Sequence, residues 1–319
     1  MAYASGDTIT ADQYNIFVNN SSSPFGYNHF AGTGSANYGL GQTHIATVTG
    51  GATTITATQF NTLLTGIDNI ANHTNDTMTA RTAVTAGDTI AIKSNLETDL
   101  ATLAASVNGG STSATALTTN QLRQTTNSGT FNNTSTIEIS VTFASADAMR
   151  HFFNAGGKIR CVMATSGSTD GDKDTVGTDL GTGLGNLDIA AEATTRSGSS
   201  ETLTTNGLAN GFRDLGTSYT TIIKLTSDNS GYTSNTLEIQ AKLDAAVGSS
   251  TVMTIKQIVV DGDGDDTFHP SNLSGVPANP NEHPACRLTV SELHPNDTQG
   301  LAAAIQASAN AEVSNTISS

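Results

Sequence analysis

Three aspartates at alternate positions form the run whose chemistry is easiest to name. Asp261, Asp263 and Asp265 lie in the segment DGDGDD, directly after the strand-like run TIKQIVV. Carboxylates at this spacing begin a calcium loop, in which their oxygens converge on one ion. The pattern then departs from a calcium-binding helix-loop-helix, because Asp266 stands where that loop needs Gly and Asn272 where it needs Glu. The segment therefore favours a solvated acidic turn, and a calcium site is the alternative.

A double glycine in front of a lysine raises the question of a phosphate-binding loop. Gly156 and Gly157 precede Lys158 in SADAMRHFFNAGGKIR. A phosphate loop places its glycines after a strand and before a helix, so that the helix N-terminus faces the anion. Here the order is reversed, because Ser145 is a good N-cap and the glycines follow the helix, where they permit a left-handed C-cap. We predict a short helix that leads into a strand, with no phosphate site.

The other reactive side chains form no catalytic constellation. Phe152 and Phe153 make the apolar stripe of the short helix and are predicted to anchor it on a sheet. His269, His283 and His294 lack the paired spacing that aims two rings at one metal ion. Cys161 and Cys286 fit neither a disulfide framework nor a zinc site, so buried thiols are favoured and a single bridge between neighbouring strands is the alternative. We predict no enzymatic activity and, calcium apart, no cofactor.

An imperfect repeat organises the first third of the chain. The run DTITADQYN returns as TTITATQFN, and DTIAIKSNL is a weaker third copy. In the first two copies Thr10 and Thr56 are followed three residues later by Gln13 and Gln59, which is the spacing of a capping box. Each copy is therefore predicted to start a helix. Residues 1–110 are predicted to be a helical region for attachment and oligomerisation.

Beyond a polar linker at 111–130 the sequence period changes to two. STIEISVTFAS alternates apolar and polar residues, as a strand with one buried face does, and five later runs follow the same pattern. The insertion 166–210 is poor in large apolar residues and is predicted to form surface loops. The predicted fold class is α+β, with a small N-terminal helical head, a mainly antiparallel β-sandwich at 131–295 that contains one short inserted helix, and a C-terminal helix at 296–319.

Composition excludes several classes of partner. The 319-residue chain has a formal net charge of −15, and only 13% of its residues are charged. Binding to a nucleic-acid backbone needs clustered Lys and Arg, which the sequence lacks. No apolar run approaches the roughly 18–20 residues that span a membrane, and the first residues, MAYASGDTIT, lack the pattern of a secretory signal. We expect a protein that binds neither nucleic acid nor membranes and that reaches its destination without a cleaved export sequence.

The stretch VTFASADAMRHFFNAGGKIR at 141–160 resembles a group of tailed-bacteriophage virion proteins, especially those of phages that infect cyanobacteria and other marine bacteria. YTSNTLEIQAKLD at 232–244, and ITADQYN followed by YGLGQT at 38–43, are similar to the same group. The similarity runs through most of the chain in order. The insertion at 166–210 and the acidic loop at 261–266 lie outside it. Members of the group are described as virion structural or tail-fibre-like proteins, associated with the neck or the baseplate.

The resemblance implies a non-enzymatic structural component of a tailed phage particle, placed in the tail, fibre, collar or baseplate. It implies docking through the N-terminal region, self-association into a homo-oligomer, other virion proteins as partners, and a virion location after assembly in the host cytoplasm. Two alternatives stay open, a capsid decoration protein and a carbohydrate-binding protein that recognises a host-surface glycan. The second is poorly supplied with aromatic platforms, because the sequence has no Trp and six Tyr.

Overall fold

The described part of the chain forms two units. The computed structural model describes residues 10–23, 25–32, 39–50, 55–74, 76–88, 93–108, 117–167, 171–262, 283–295 and 311–318. The first unit draws on Met1–Thr118, Asp147–Gly157 and His294–Ala304, and the second on Thr119–Ala146, Lys158–Leu293 and Ile305–Ser319. Each unit therefore combines segments that are distant in sequence.

The first unit is built from helices. They are α1 (Ala11–Asn19), α2 (Tyr27–Ala31), α3 (Ala57–Thr74), α4 (Lys93–Asn108) and, from residue 147 onward, α5 (Ala146–Asn154). The apolar faces of α1 to α4 form one core, because the large side chains recur at the three-and-four spacing of a helix. The core includes Phe17, Phe30, Phe60, Ile67 and Leu100, none more than 1% exposed.

Both repeat copies carry the side-chain to backbone bonds of a capping box. In the first copy Thr10 N donates to Gln13 Oε1 at 2.9 Å and Gln13 N donates to Thr10 Oγ1 at 3.4 Å. In the second, Thr56 N donates to Gln59 Oε1 at 2.9 Å and Gln59 N donates to Thr56 Oγ1 at 3.2 Å. Two backbone donors at each helix start are thereby satisfied. The two helices begin at Ala11 and Ala57, the residues directly after these threonines.

The double glycine ends α5. Gly156 N donates to Phe153 O at 3.0 Å and Gly157 N donates to Phe152 O at 2.8 Å, the two bonds of a Schellman motif. Gly156 has φ of +92°, which glycine adopts readily. A Cβ on Gly157 would lie 2.4 Å from Cε2 of Phe152, so this glycine also makes room for the ring. Helix α5 begins at Ala146, directly after Ser145.

The two phenylalanines of α5 are fully buried in the first unit. The rings of Phe152 and Phe153 meet edge to face at 5.1 Å, and Phe152 stacks on His294 at 6.4 Å. Near the end of the helix, His73 Nε2 lies 2.8 Å from Ala155 O. The segment from 147 to 157 groups with the helices, and the anchoring of α5 on a sheet by these rings stays a prediction.

Replacing Gly156 by alanine is expected to lower the free energy of unfolding by about 1–2 kcal/mol, because a Cβ disfavours a positive φ. Gly129→Ala is the matched control, since its φ is not positive and nothing lies within 4 Å of the added Cβ. Urea denaturation of both variants measures the difference. Equal stabilities of the two variants would contradict the assigned C-cap.

The second unit contains two antiparallel sheets. The five-stranded sheet has the order β1-β10-β3-β4-β5, and the six-stranded sheet has the order β11-β2-β9-β8-β7-β6. The strands are β1 (Thr118–Thr126), β2 (Thr134–Thr142), β3 (Lys158–Ser166), β4 (Leu187–Ile189), β5 (Thr194–Arg196), β6 (Thr202–Asn206), β7 (Thr220–Thr226), β8 (Thr236–Leu243), β9 (Val252–Val260), β10 (Ala285–His294) and β11 (Ala311–Ser318). Helix α6 (Gly171–Leu184) precedes β4, and a 3-10 turn spans Phe212–Asp214.

The six strand-like runs of the sequence all lie in these sheets. Alternate residues are buried, as in β8, where Leu237, Ile239, Ala241 and Leu243 are at most 1% exposed. A strand with one buried face produces this period of two. With six α-helices in the described residues, the fold is mixed α and β.

Three predicted segments differ from the structure. The C-terminal helix is wrong over residues 311–318, which form β11 along β2, while residues 296–310 lie outside the described part. Val313, Thr316 and Ile317 are β-branched and favour a strand once a partner edge is present. The polar linker at 111–130 contains β1, a mostly exposed strand that reads as polar because little of it is buried.

The insertion at 166–210 is also more ordered than predicted. It contains α6 and the strands β4 to β6. Val176, Leu180 and Leu184 are buried at a spacing of four residues, which is the spacing of one helix face. The many glycines and threonines between them hid this signal. None of the helices in the described ranges has both the length and the apolar character that crossing a membrane requires.

Candidate functional site

The repeated motif ends in an asparagine that clamps an extended segment. In the first copy Asn15 Nδ2 donates to Val48 O at 2.8 Å and Val48 N donates to Asn15 Oδ1 at 2.9 Å. In the second copy Asn61 makes the same two bonds, both 2.9 Å long, with Val84. A primary amide carries one acceptor and two donors, so it matches both backbone groups of a single residue. The repeat therefore encodes a helix start together with a clamp.

A third asparagine extends this arrangement along the same segment. Asn28 on α2 donates from Nδ2 to Ile45 O at 2.9 Å and accepts from Ile45 N at 2.8 Å. Ile45 and Val48 lie on one extended stretch that is thus fixed by α1 and α2. Its backbone groups need such partners because no neighbouring strand supplies them in the described residues. These hydrogen bonds therefore fix the position of the non-helical segments in the helical unit.

Removing a clamp is expected to destabilise the helical unit locally. Asn15→Ala and Asn61→Ala each leave one backbone N–H and one C=O partly buried without the amide, at a cost of about 1–2 kcal/mol. Asn95→Ala serves as the control, because Asn95 is half-buried on α4 and its side chain has no hydrogen-bond partner among the described residues. Hydrogen exchange at the Val48 and Val84 amides measures the effect. Unchanged exchange at both valines would refute the clamp.

An arginine fixes the segment between α3 and α4. Arg81 donates to Asp68 Oδ1 at 2.7 Å and to Asp99 Oδ2 at 2.9 Å. The side chains of Arg81 and Asp99 are 6% and 4% exposed. Asp99 Oδ1 also accepts from the backbone N and the hydroxyl of Thr79, at 3.1 and 3.0 Å. One buried carboxylate thus has three donor groups, which makes this network structural.

A groove of about 720 Å³ lies beside α3 within the first unit. One wall is the extended stretch 42–46, and the other is the α3 surface from Thr58 to Asn69. Hydroxyl and amide side chains predominate, and the described lining residues include no Asp, Glu, Lys or Arg. Such a surface can donate and accept hydrogen bonds without a net charge. It suits a polar protein segment better than a charged ligand.

The aromatic ring that lines this groove belongs to Tyr27, which is buried in the first unit. Tyr27 is 4% exposed, and its hydroxyl donates to Thr43 O at 3.5 Å. Burial raises the pKa of this phenol. A Cβ on Gly66 would lie 2.6 Å from the ring, so the glycine allows α3 to pack against it. A ring buried to this degree offers no stacking platform to a sugar.

The second unit contains a buried pair of opposite charges. The Lys173 ammonium on α6 pairs with Asp261 Oδ1, and the two side chains are 0% and 1% exposed. The Lys173 nitrogen also lies 5.5 Å from the centroid of the Tyr232 ring. Asp261 is the first residue of the predicted acidic turn. Because its carboxylate is buried and pairs with Lys173, the prediction of a solvated residue is wrong at this position. Asp263 and Asp265 lie outside the described residues.

A buried histidine packs against α6, one helical turn after Lys173. His283 is 0% exposed, stacks on Phe131 at 4.8 Å and places Nδ1 2.9 Å from Pro284 O. Because a carbonyl oxygen only accepts, Nδ1 carries the proton and Nε2 presents its lone pair. A Cβ on Gly177, four residues after Lys173, would lie 3.2 Å from that Nε2. Burial lowers the pKa of His283 to about 4.

Both cysteines are buried free thiols. Cys161 on β3 pairs with Val290, while Cys286 on β10 pairs with Thr165, so the register of the two neighbouring strands keeps the thiols apart. Burial raises the pKa of the Cys161 thiol to about 12 and also raises that of Cys286. Neither thiol is a nucleophile at neutral pH.

The structure does not bring the predicted site residues together into one site. It also shows functional residues that the sequence analysis missed. The missed residues include Asn15, Asn28, Asn61, Arg81 and Lys173. Only Asn15 and Asn61 left a signal, since each closes its copy of the repeat. Within the described residues no three His, Cys, Asp or Glu side chains come together as a metal site would require. Comparison with protein-family models, with curated proteins and with solved structures found no match.

Proposed function

We propose that this chain is a non-enzymatic structural subunit of a tailed bacteriophage particle, in its tail, fibre, collar or baseplate, which self-associates and docks through its N-terminal region onto other virion proteins. The observation that carries the proposal is β11, an edge strand of the six-stranded sheet in the described residues, whose Glu312 and Asn315 side chains bond to β1. This strand exposes Val313 by 54% and Ile317 by 40%. Large exposed apolar side chains on an edge strand favour pairing with another chain.

The composition of the two edge strands supports association between copies. Monomeric proteins protect sheet edges with Lys, Pro or inward-pointing charges. The described part of β11 has one charged residue, Glu312, which pairs with Arg123 at 3.5 Å. At the other edge, β6 contains only Thr, Leu and Asn. Neither edge therefore repels a second strand, and the occupant we assign to them is a second copy of this chain.

We also propose that the two sheets of the second unit pack face to face as a β-sandwich. Each has a row of buried apolar residues on alternate positions, for example Ile137 and Ile139 on β2 and Ile159 and Met163 on β3. Two sheets in one unit bury such rows most simply against each other. The sandwich would provide the rigid body of the subunit, and the uncharged groove of the helical unit would take a polar segment of a neighbouring virion protein.

The oligomeric state of the purified full-length chain tests the self-association. Size-exclusion chromatography with light scattering is expected to show an oligomer, and Val313→Lys or Ile317→Lys is expected to shift it toward the monomer. Thr217→Lys is the control, because it adds the same charge at an exposed loop position outside both edge strands. A wild-type chain that stays monomeric at high concentration, or equal shifts in all three variants, would contradict the edge assignment.

Labelling of virions with an antibody against this chain tests the place in the particle. The proposal expects label on the tail apparatus. Label spread over the capsid shell would replace it with the decoration protein, and particles without label would remove the virion assignment.

A further inference from the structure

The buried pair of Lys173 and Asp261 joins parts of the second unit that are 88 residues apart in sequence. Lys173 lies in the first turn of α6, which follows β3 of the five-stranded sheet, and Asp261 directly follows β9 of the six-stranded sheet. Neither side chain reaches solvent. Removing two charges from water is costly, and replacing a buried pair by apolar residues is often neutral or stabilising. The pair therefore invites an explanation beyond stability as an ion pair.

An amine held against a carboxyl group in a dry site is the arrangement from which an amide forms. Amide formation proceeds from the neutral pair, which is reached when one proton passes from the ammonium to the carboxylate. The fold fixes the two groups in contact, which replaces an encounter between separate molecules by a step within one molecule. The Tyr232 ring beside the Lys173 nitrogen and the absence of exposure keep competing water away.

We propose that Lys173 and Asp261 condense into an intramolecular isopeptide bond. The Lys173 Nζ lone pair attacks Cγ of the protonated Asp261 carboxyl group, and the new C–N bond gives a tetrahedral intermediate. One Oδ–C bond then breaks, and that oxygen leaves as water with two of the three protons that the ammonium originally carried. The third stays on the amide nitrogen. The balance is ammonium plus carboxylate to amide plus water, so no oxidant, reductant or activating group takes part.

His283 is the group we assign to proton transfer in this reaction. The attacking nitrogen must lose a proton and the departing oxygen must gain one, and a base that shuttles the proton lowers the barrier. The His283 ring lies against α6 at Gly177, one helical turn after Lys173, and its Nε2 has no hydrogen-bond partner among the described residues. In the tautomer set by Pro284 O, Nε2 carries no proton and can accept one.

The mass of the intact full-length chain tests the bond directly. After purification and denaturation, the wild-type mass is expected to be lower than the sequence mass by one water. Lys173→Arg keeps a positive charge for Asp261 but forms no such amide, so its mass should show no deficit. The difference between the two proteins cancels any processing at the termini. A wild-type chain whose mass differs from Lys173→Arg by the residue change alone overturns the proposal, whether or not the variant folds.

A second lysine variant and a digest give the matched controls. Lys256→Arg changes a lysine whose amine lies 2.9 Å from Glu138 in a more exposed pair, and it should keep the deficit of one water. Trypsin does not cut after an acylated lysine, so the digest should contain one branched peptide with Lys173 and Asp261. A branched peptide at any other pair of residues overturns the assignment.

The relay is tested separately from the bond. His283→Asn is expected to leave a larger fraction of chains with the full sequence mass soon after synthesis. If wild type and His283→Asn lose water equally fast, the isopeptide bond remains supported and the role of His283 in proton transfer is refuted. The proposed bond also does not depend on the proposed virion function, since its readout is a mass and not an assembly.

Discussion

Arg81→Met is expected to lower the free energy of unfolding of the helical unit by about 3–5 kcal/mol, which is the usual cost of removing one member of a buried ion pair. The reason lies with Asp99, whose side chain is 4% exposed and would keep its charge without the guanidinium. The bond from Arg81 to Asp68 contributes less, because the Asp68 side chain is 46% exposed and water screens it. Urea denaturation combined with hydrogen exchange on α3 and α4 measures the loss.

The chain offers a matched control for this substitution. Arg123 pairs with Glu312 at 3.5 Å, with 42% and 35% of the two side chains exposed. Arg123→Met should therefore change stability by less than about 1 kcal/mol. The double variant Arg81→Met with Asp99→Asn should recover part of the loss, because the uncompensated charge is gone while the amide can still accept from Thr79. A loss that the second substitution deepens would show that the guanidinium acts by packing and not by charge.

The sequence is informative where the cause of a structure is local. Thr10 and Gln13 predict the start of α1, because both capping partners lie within one helical turn. Gly156 and Gly157 predict the end of α5 for the same reason. The strands from β2 to β10 that show strict alternation were predictable since one buried face imposes a period of two.

The sequence is less informative where the structure of a segment depends on a residue or strand that is distant in sequence. Ala311 to Ser318 form a strand because they pair with the edge of β2, and no pattern within the segment indicates that this partner is available. The repeat marks Asn15, but only the position of Val48 shows that its amide binds a backbone segment. Asp261 reads as part of a solvated turn, and only the position of α6 makes it a buried partner of Lys173. Pairings over tens of residues are properties of the topology, which local patterns constrain weakly.

Acidification is expected to destabilise the second unit through His283. The pKa of its imidazole is lowered to about 4, mainly by burial, against an ordinary value of 6.5 in the unfolded chain. Between these values the unfolded chain binds one proton more than the folded chain, so the free energy of unfolding decreases as the pH falls from about 6.5 to about 4. At about 1.4 kcal/mol per pKa unit, the total loss is about 3 kcal/mol.

His283→Asn separates this contribution from that of the carboxyl groups, which titrate in the same range. The asparagine amide can still donate toward Pro284 O but binds no proton. The stability difference between wild type and variant should therefore shrink by about 3 kcal/mol from pH 7 to pH 4, as measured by urea denaturation at a series of pH values. Parallel curves would mean that the folded chain protonates His283 as easily as the unfolded chain does. In that case burial does not disfavour the charged ring, and the expected acid destabilisation through His283 is wrong.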